Sequence, residues 1–86
     1  MGEEQQVGTV IKFFSKPGVA AIEVTGGGIK RGDTLRFKGH TTDFTDVAAS
    51  MELDNQPVEK AKAGDLIGVK VKERVREGDK VYEVVD

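Results

Sequence analysis

The chain has no cysteine and no tryptophan, one histidine, one tyrosine and two prolines. Without cysteine, neither a disulfide nor a thiolate metal site can form. His40 alone cannot supply a histidine pair for a metal; in GHTTDF it reads as a loop residue bonding backbone in preference to a proton shuttle. No apolar run approaches the roughly 20 residues of a membrane span. The start, MGEEQQVG, lacks the basic and apolar stretches of a signal peptide. Gln6 stands where a myristoylation signal needs Ser or Thr. The expected address is the cytoplasm, away from membranes.

What is present is a chain of 86 residues, 37% hydrophobic and 33% charged, with eleven glycines. That is one globular domain with a modest core; a chain of this size buries somewhat over ~60% of its unfolded surface. The net charge of −2 hides segregation. Lys30 to His40 holds four basic residues and one acid, Thr41 to Glu59 five acids and no base, Lys60 to Arg76 six bases and two acids. Such blocks are either solvated strand faces or patches that meet an acidic or phosphate-bearing partner.

A basic residue, any residue, Gly and Asp recur three times: Lys30-Arg31-Gly32-Asp33, Lys62-Ala63-Gly64-Asp65 and Arg76-Glu77-Gly78-Asp79. Each precedes an apolar, alternating run. Gly takes φ > 0 without steric cost and Asp bonds nearby amides, so each tetrad predicts a turn feeding a strand. The RGD at Arg31 to Asp33 is therefore a corner, not an adhesion signal.

Period-two patterning fills most of the rest. Val7 to Phe14 and Val19 to Val24 are strands flanking the turn Ser15-Lys16-Pro17-Gly18, and Ala20, Ile22 and Val24 share a face. In TLRFK, Leu35 and Phe37 oppose Arg36 and Lys38. TDVAASMEL predicts one half-buried strand with Val47, Ala49, Met51 and Leu53 inward. PVEKAKAG and KERVRE are too short for free-standing helices. The fold class expected is all-β: residues 1–6 a flexible N-terminus, residues 7–86 a single small closed antiparallel β-barrel of six or seven strands. Its expected core is Ile22, Leu35, Phe37, Val47, Met51, Leu53, Ile67 and Val69.

Catalytic constellations are missing from the pattern. TGGGIKRG (Thr25 to Gly32) has the wrong spacing for a phosphate loop, and a strand follows it where a helix is required, so no nucleotide site is expected. Glu52 and Asp54 read as a solvated rim, because no nucleophile accompanies them. No cofactor, no metal and no enzymatic activity are expected.

GGGIKRGDTLRFKG (Gly26 to Gly39) resembles a strand-turn-strand of the second domain of translational GTPases such as elongation factor Tu. SMELDNQPVEKAKAGDLIGVKV (Ser50 to Val71) and KERVREGDKV (Lys72 to Val81) resemble later stretches of the same barrel, and the likeness covers about Val7 to Val84. The resemblance implies a six-stranded translation-protein barrel standing alone, as in small elongation-factor-like proteins or the barrel appended to some collagenase-like peptidases. Glu52 falls on an acidic position of that family's pocket for the tRNA end. Asp54 stands where elongation factor Tu has His, Leu66 where it has Asn, and Glu23 and Thr25 replace its Arg-x-Glu. The pocket is therefore not expected to hold aminoacyl-tRNA in the same way.

Two functions follow as expectations. The first is a monomeric, non-enzymatic binding module of protein biosynthesis, contacting tRNA or ribosomal RNA through Lys12, Lys16, Lys30, Arg31, Arg36 and Lys38. The alternative is a protein-docking accessory subunit of a separately encoded enzyme, such as a collagenase-like peptidase. A continuous basic groove favours the first; an exposed apolar patch around Phe13, Phe14 or Phe44 favours the second.

Overall fold

The computed structural model describes residues 3–85. They form ten strands and no helix: β1 (Glu3–Phe14), β2 (Val19–Val24), β3 (Ile29–Lys30), β4 (Thr34–Lys38), β5 (Asp43–Val47), β6 (Met51–Leu53), β7 (Gln56–Pro57), β8 (Lys60–Ala61), β9 (Leu66–Lys70) and β10 (Lys80–Val85). Eight join in one sheet of order β5-β4-β10-β1-β2-β9-β6-β7, and β3 pairs with β8 separately. Every ladder is antiparallel. The all-β antiparallel expectation is met. The strands number ten where six or seven were expected, and no ladder among the described residues joins β5 to β7 to close the sheet.

β1 begins at Glu3, inside the segment expected to be flexible; Glu3 to Gln6 pair with Val85 to Tyr82. This twelve-residue strand serves two neighbours, β10 through its first half and β2 through its second. Register irregularities between Gln6 and Gly8 and between Val10 and Lys12 let it turn from one to the other, as bulges do.

Alternation then builds the core. Ala20, Ile22 and Val24 from β2, Leu35 and Phe37 from β4, Ile67 and Val69 from β9, and Met51 and Val81 are all buried. Burial of each large side chain contributes about 1.5–3 kcal/mol. Phe37 stacks on half-buried Phe44 across the β4–β5 ladder, with ring centroids 5.1 Å apart.

One stretch departs from its pattern. TDVAASMEL is not a single strand: β5 ends at Val47, and β6 begins only at Met51. Ala48 turns inward, its N–H donating to the Asp33 carbonyl and its own carbonyl accepting from Gly32. Val47, expected inside, is 47% exposed, and Leu53 is half-buried. The anchoring of Ala48 to the β3–β4 turn displaces the face by one residue, and a slip of one reverses every side chain.

The three Gly-Asp tetrads fold alike. Gly32, Gly64 and Gly78 have φ of 96°, 97° and 89°. Asp33, Asp65 and Asp79 each accept the N–H of the residue three earlier, Lys30, Lys62 and Arg76, at 2.9 Å. The aspartate amides return bonds to the carbonyls of those same residues at 3.0–3.1 Å. RGD here is the middle of a turn.

Candidate functional site

A concavity lies where the β2–β3 loop, the first Gly-Asp turn and the β8–β9 segment converge beside β10. It encloses about 850 Å3 and is lined by Gly26 to Lys30, Asp33, Lys60 to Ala63, Asp65 and Glu83. Gly28 permits the approach of its two walls. Its φ is 94°, and a side chain there would place Cβ 2.7 Å from the Ala61 carbonyl oxygen. The β3–β8 ladder that follows, Ile29 to Ala61 and Lys30 to Lys60, forms one wall.

Glu83 reaches the cleft by register. It stands opposite buried Leu35, so it takes a core-facing position near the end of β10. There its carboxyl group shares a hydrogen bond with that of Asp33. That bond, then burial, then the charge of Asp33 raise the Glu83 pKa above its ordinary 4.5, against the pull of Lys30. The cleft is mixed in charge, with Lys30, Lys60 and Lys62 beside Asp33, Asp65 and Glu83. Its lining carries no hydroxyl, thiol or imidazole. It can bind polar groups and exchange a proton, but it has none of the usual nucleophiles of acyl transfer. Among the described residues no cluster of His, Cys, Asp or Glu is arranged to hold a metal ion, and no helix is long and apolar enough to cross a membrane.

The six cations read from the sequence are dispersed. Lys30 lines the cleft. Arg31 faces Glu59 at 3.5 Å across exposed side chains. Arg36 is held on both sides: its Nε and Nη2 donate to the two Asp43 carboxylate oxygens at 2.9 and 3.0 Å, and Nη1 donates to Glu4 Oε2 at 2.7 Å. The bonds to Glu4 and then Asp43 raise its pKa further. Lys38 is exposed on β4. Lys12 lies on β1, with β10 between it and β4, and its Nζ sits 5.2 Å from the Phe14 ring centroid. Lys16 is exposed in the β1–β2 turn. Glu52, the family pocket position, is exposed on β6 opposite Pro57 and Gly68, outside the cleft lining.

Sequence reasoning passed over Glu83, Lys60 and Lys62. Glu83 sits in an ordinary alternating run, KVYEVV, and only its pairing with β4 brings it to Asp33. The apolar alternative fares better: Phe14 is 44% exposed, while Phe13 and Phe44 are half-buried.

No family model matches the chain. Over 78 residues, 90% of its length, it is 42% identical to an uncharacterized protease of Methanocaldococcus jannaschii, of which that stretch is 19%. Over 81 residues, 93% of its length, it is 38% identical to a collagenase of Porphyromonas gingivalis, of which that stretch is 22%. The chain thus spans about a fifth of the length of these relatives. Its fold matches the crystal structure of the C-terminal domain of a Geobacillus thermoleovorans protein assigned to the U32 peptidases, with a TM-score of 0.85 at 18% identity, covering 92% of this chain and 91% of that one. These findings correct the resemblance to the second domain of elongation factor Tu, and with it the expected link to protein biosynthesis. The Gly-Asp corners that carried the resemblance are turn chemistry, and the homologues are domains borne by peptidases and collagenases.

Proposed function

We propose that the chain is a non-catalytic docking module of a collagenase-like peptidase, packing on the part that carries the chemistry. The observation that carries this reading is the alignment of nine-tenths of the chain with only about a fifth of each of two peptidases. The remaining four-fifths of those relatives has ample length for a catalytic domain. The cleft lining, without hydroxyl, thiol or imidazole, agrees with an accessory role. In the same reading the sheet is rolled into a barrel. Asp46 at its β5 edge accepts the Lys72 amide at 2.9 Å, which brings that edge to the segment following β9.

The test is a graft. The Porphyromonas gingivalis collagenase is prepared intact, without its matching segment, and with that segment replaced by this chain. Gelatin cleavage is expected to fall at least tenfold on deletion and to recover to within about threefold in the graft. A deletion variant as active as the parent, or a folded graft as inactive as the deletion, overturns the proposal.

A further inference from the structure

We infer that the outward face of β1, β2 and β9 is the surface by which this domain docks on the catalytic part of such a peptidase. The inference rests on the docking reading above and adds to it which residues make the contact. Its basis is the placement of the exposed apolar side chains. Of the four large hydrophobic residues that stand exposed among the described residues, Ile11, Phe14 and Leu66 belong to β1 and β9, at 42%, 44% and 55%. The fourth, Val47, is on β5, which pairs with none of these three strands.

Register shows how the strands share this face. Phe14 stands opposite Val19, and Val19 opposite Lys70. In the next row Lys12 meets Ala21, Ala21 meets Gly68, and Gly68 meets Glu52. In the third, Glu23 meets Leu66. The alternate residues Ala20, Ile22, Ile67 and Val69 are buried, so these rows point away from the core. Phe14 and Leu66 stand at opposite ends of a diagonal on the order of 16 Å long, from two strand spacings and four residues of rise. Between them the floor is low, because Ala21 carries one methyl and Gly68 none. A Cβ on Gly68 would stand 3.2 Å from Val19 Cγ1.

Two large apolar residues flanking a shallow floor, with charged residues at the margin, form a surface that receives an apolar side chain or helix. The margin is asymmetric: Lys12 and Lys70 accompany Phe14 and Val19, whereas Glu23 and Glu52 lie toward Leu66. That polarity fixes the direction in which a partner can lie. β1, β2 and β9 are interior strands, each paired on both sides, so they cannot recruit a partner by strand addition and must do so through side chains. The occupant is taken to be the catalytic part of the peptidase because both relatives continue for about four-fifths of their length beyond the matched stretch.

The absence of cysteine makes the test direct. Leu66→Cys and Val47→Cys are prepared in the 86-residue chain and in the collagenase graft, and alkylation of each introduced thiol is followed by mass spectrometry of its peptide. In the free chain both thiols should react at similar rates. In the graft, reaction at position 66 should slow at least tenfold while that at 47 stays within twofold. A third variant, Ala21→Ser, keeps the floor low and should leave the protection at 66 in place; Ala21→Arg should abolish it. Protection at 47 but not at 66 would sink this surface and leave the docking reading standing. Protection at neither, with the grafted domain tumbling independently by fluorescence anisotropy, would sink both. Protection at 66 already in the free chain, with a dimer in sedimentation, would assign the face to a second copy and overturn the inference.

Discussion

Arg36 grips Asp43 fork to fork, Nε to Oδ1 at 2.9 Å and Nη2 to Oδ2 at 3.0 Å, diagonally across the β4–β5 hairpin, in which Arg36 stands opposite Thr45 and Asp43 opposite Lys38. Its remaining nitrogen, Nη1, is taken by Glu4 of β1. A guanidinium closed in this way by two carboxylates has little left to offer a phosphate. With Arg31 facing Glu59 and the lysines on separate strands and turns, binding of tRNA or a short single-stranded RNA should be weak. Each phosphate contact contributes about −0.7 to −0.9 to the slope of log affinity against log salt. Fluorescence anisotropy at ~50 mM salt is expected to give either no saturation or a slope near −1. A slope of −3 or steeper that Arg36→Glu removes would restore a basic binding surface.

The division between Phe37 and Val47 gives a sharper test of the fold. Phe37 is fully buried against Phe44, so Phe37→Ala should cost about 3–5 kcal/mol in urea unfolding. Val47 is exposed, so Val47→Ala should change stability by less than about 0.5 kcal/mol. A loss of several kcal/mol at Val47 would put it back in the core and restore TDVAASMEL as a single strand.

Asp46 ties two segments with one carboxylate. Its Oδ1 accepts the Val47 amide at 2.8 Å and its Oδ2 accepts the Lys72 amide at 2.9 Å. Asp46→Ala removes both acceptors and should destabilise by about 1 kcal/mol, since both bonds are exposed and water can take the place of the carboxylate. Hydrogen exchange at Lys72 should speed up with the substitution. An unchanged rate there would show that the edge of β5 is held by something other than this carboxylate.

The corners were legible in the sequence because their code is local: the Gly supplies φ > 0 and the Asp bonds an amide three residues back. The alternating faces of β2, β4 and β9 were legible for the same reason, each reading its own pattern. Val47-Ala48-Ala49 was not. All three residues are apolar, so the face is decided by bonds from Ala48 to Gly32 and Asp33, which lie fifteen and more positions away in sequence. The site was hidden in the same way. Glu83 and Asp33 become neighbours only when β10 lies beside β4, and Arg36 meets Glu4 only when β1 lies beyond β10. The short Gly-Asp motifs served the fold well and the family poorly, because they encode how a small sheet turns corners and say little about what it binds.

The Asp33–Glu83 contact makes the cleft sensitive to pH. The pKa of Glu83 is raised in the folded chain, above the ordinary 4.5, so the folded state holds its proton more tightly than the unfolded state does. Its contribution is fully present below the unfolded value and is lost as pH rises through the folded one. Above the folded value the ionised Glu83 works against the fold, facing Asp33. Glu83→Gln keeps the size and the hydrogen bond, the amide donating to Asp33, and removes the charge. Its melting temperature should therefore exceed that of the wild type at pH 7, and the gap should narrow as pH falls toward 4. Melting followed by circular dichroism from pH 4 to 8 measures it. A Glu83→Gln protein less stable than wild type at pH 7, or a gap that widens on acidification, would mean that ionised Glu83 is held by a cation of the cleft, Lys30 foremost.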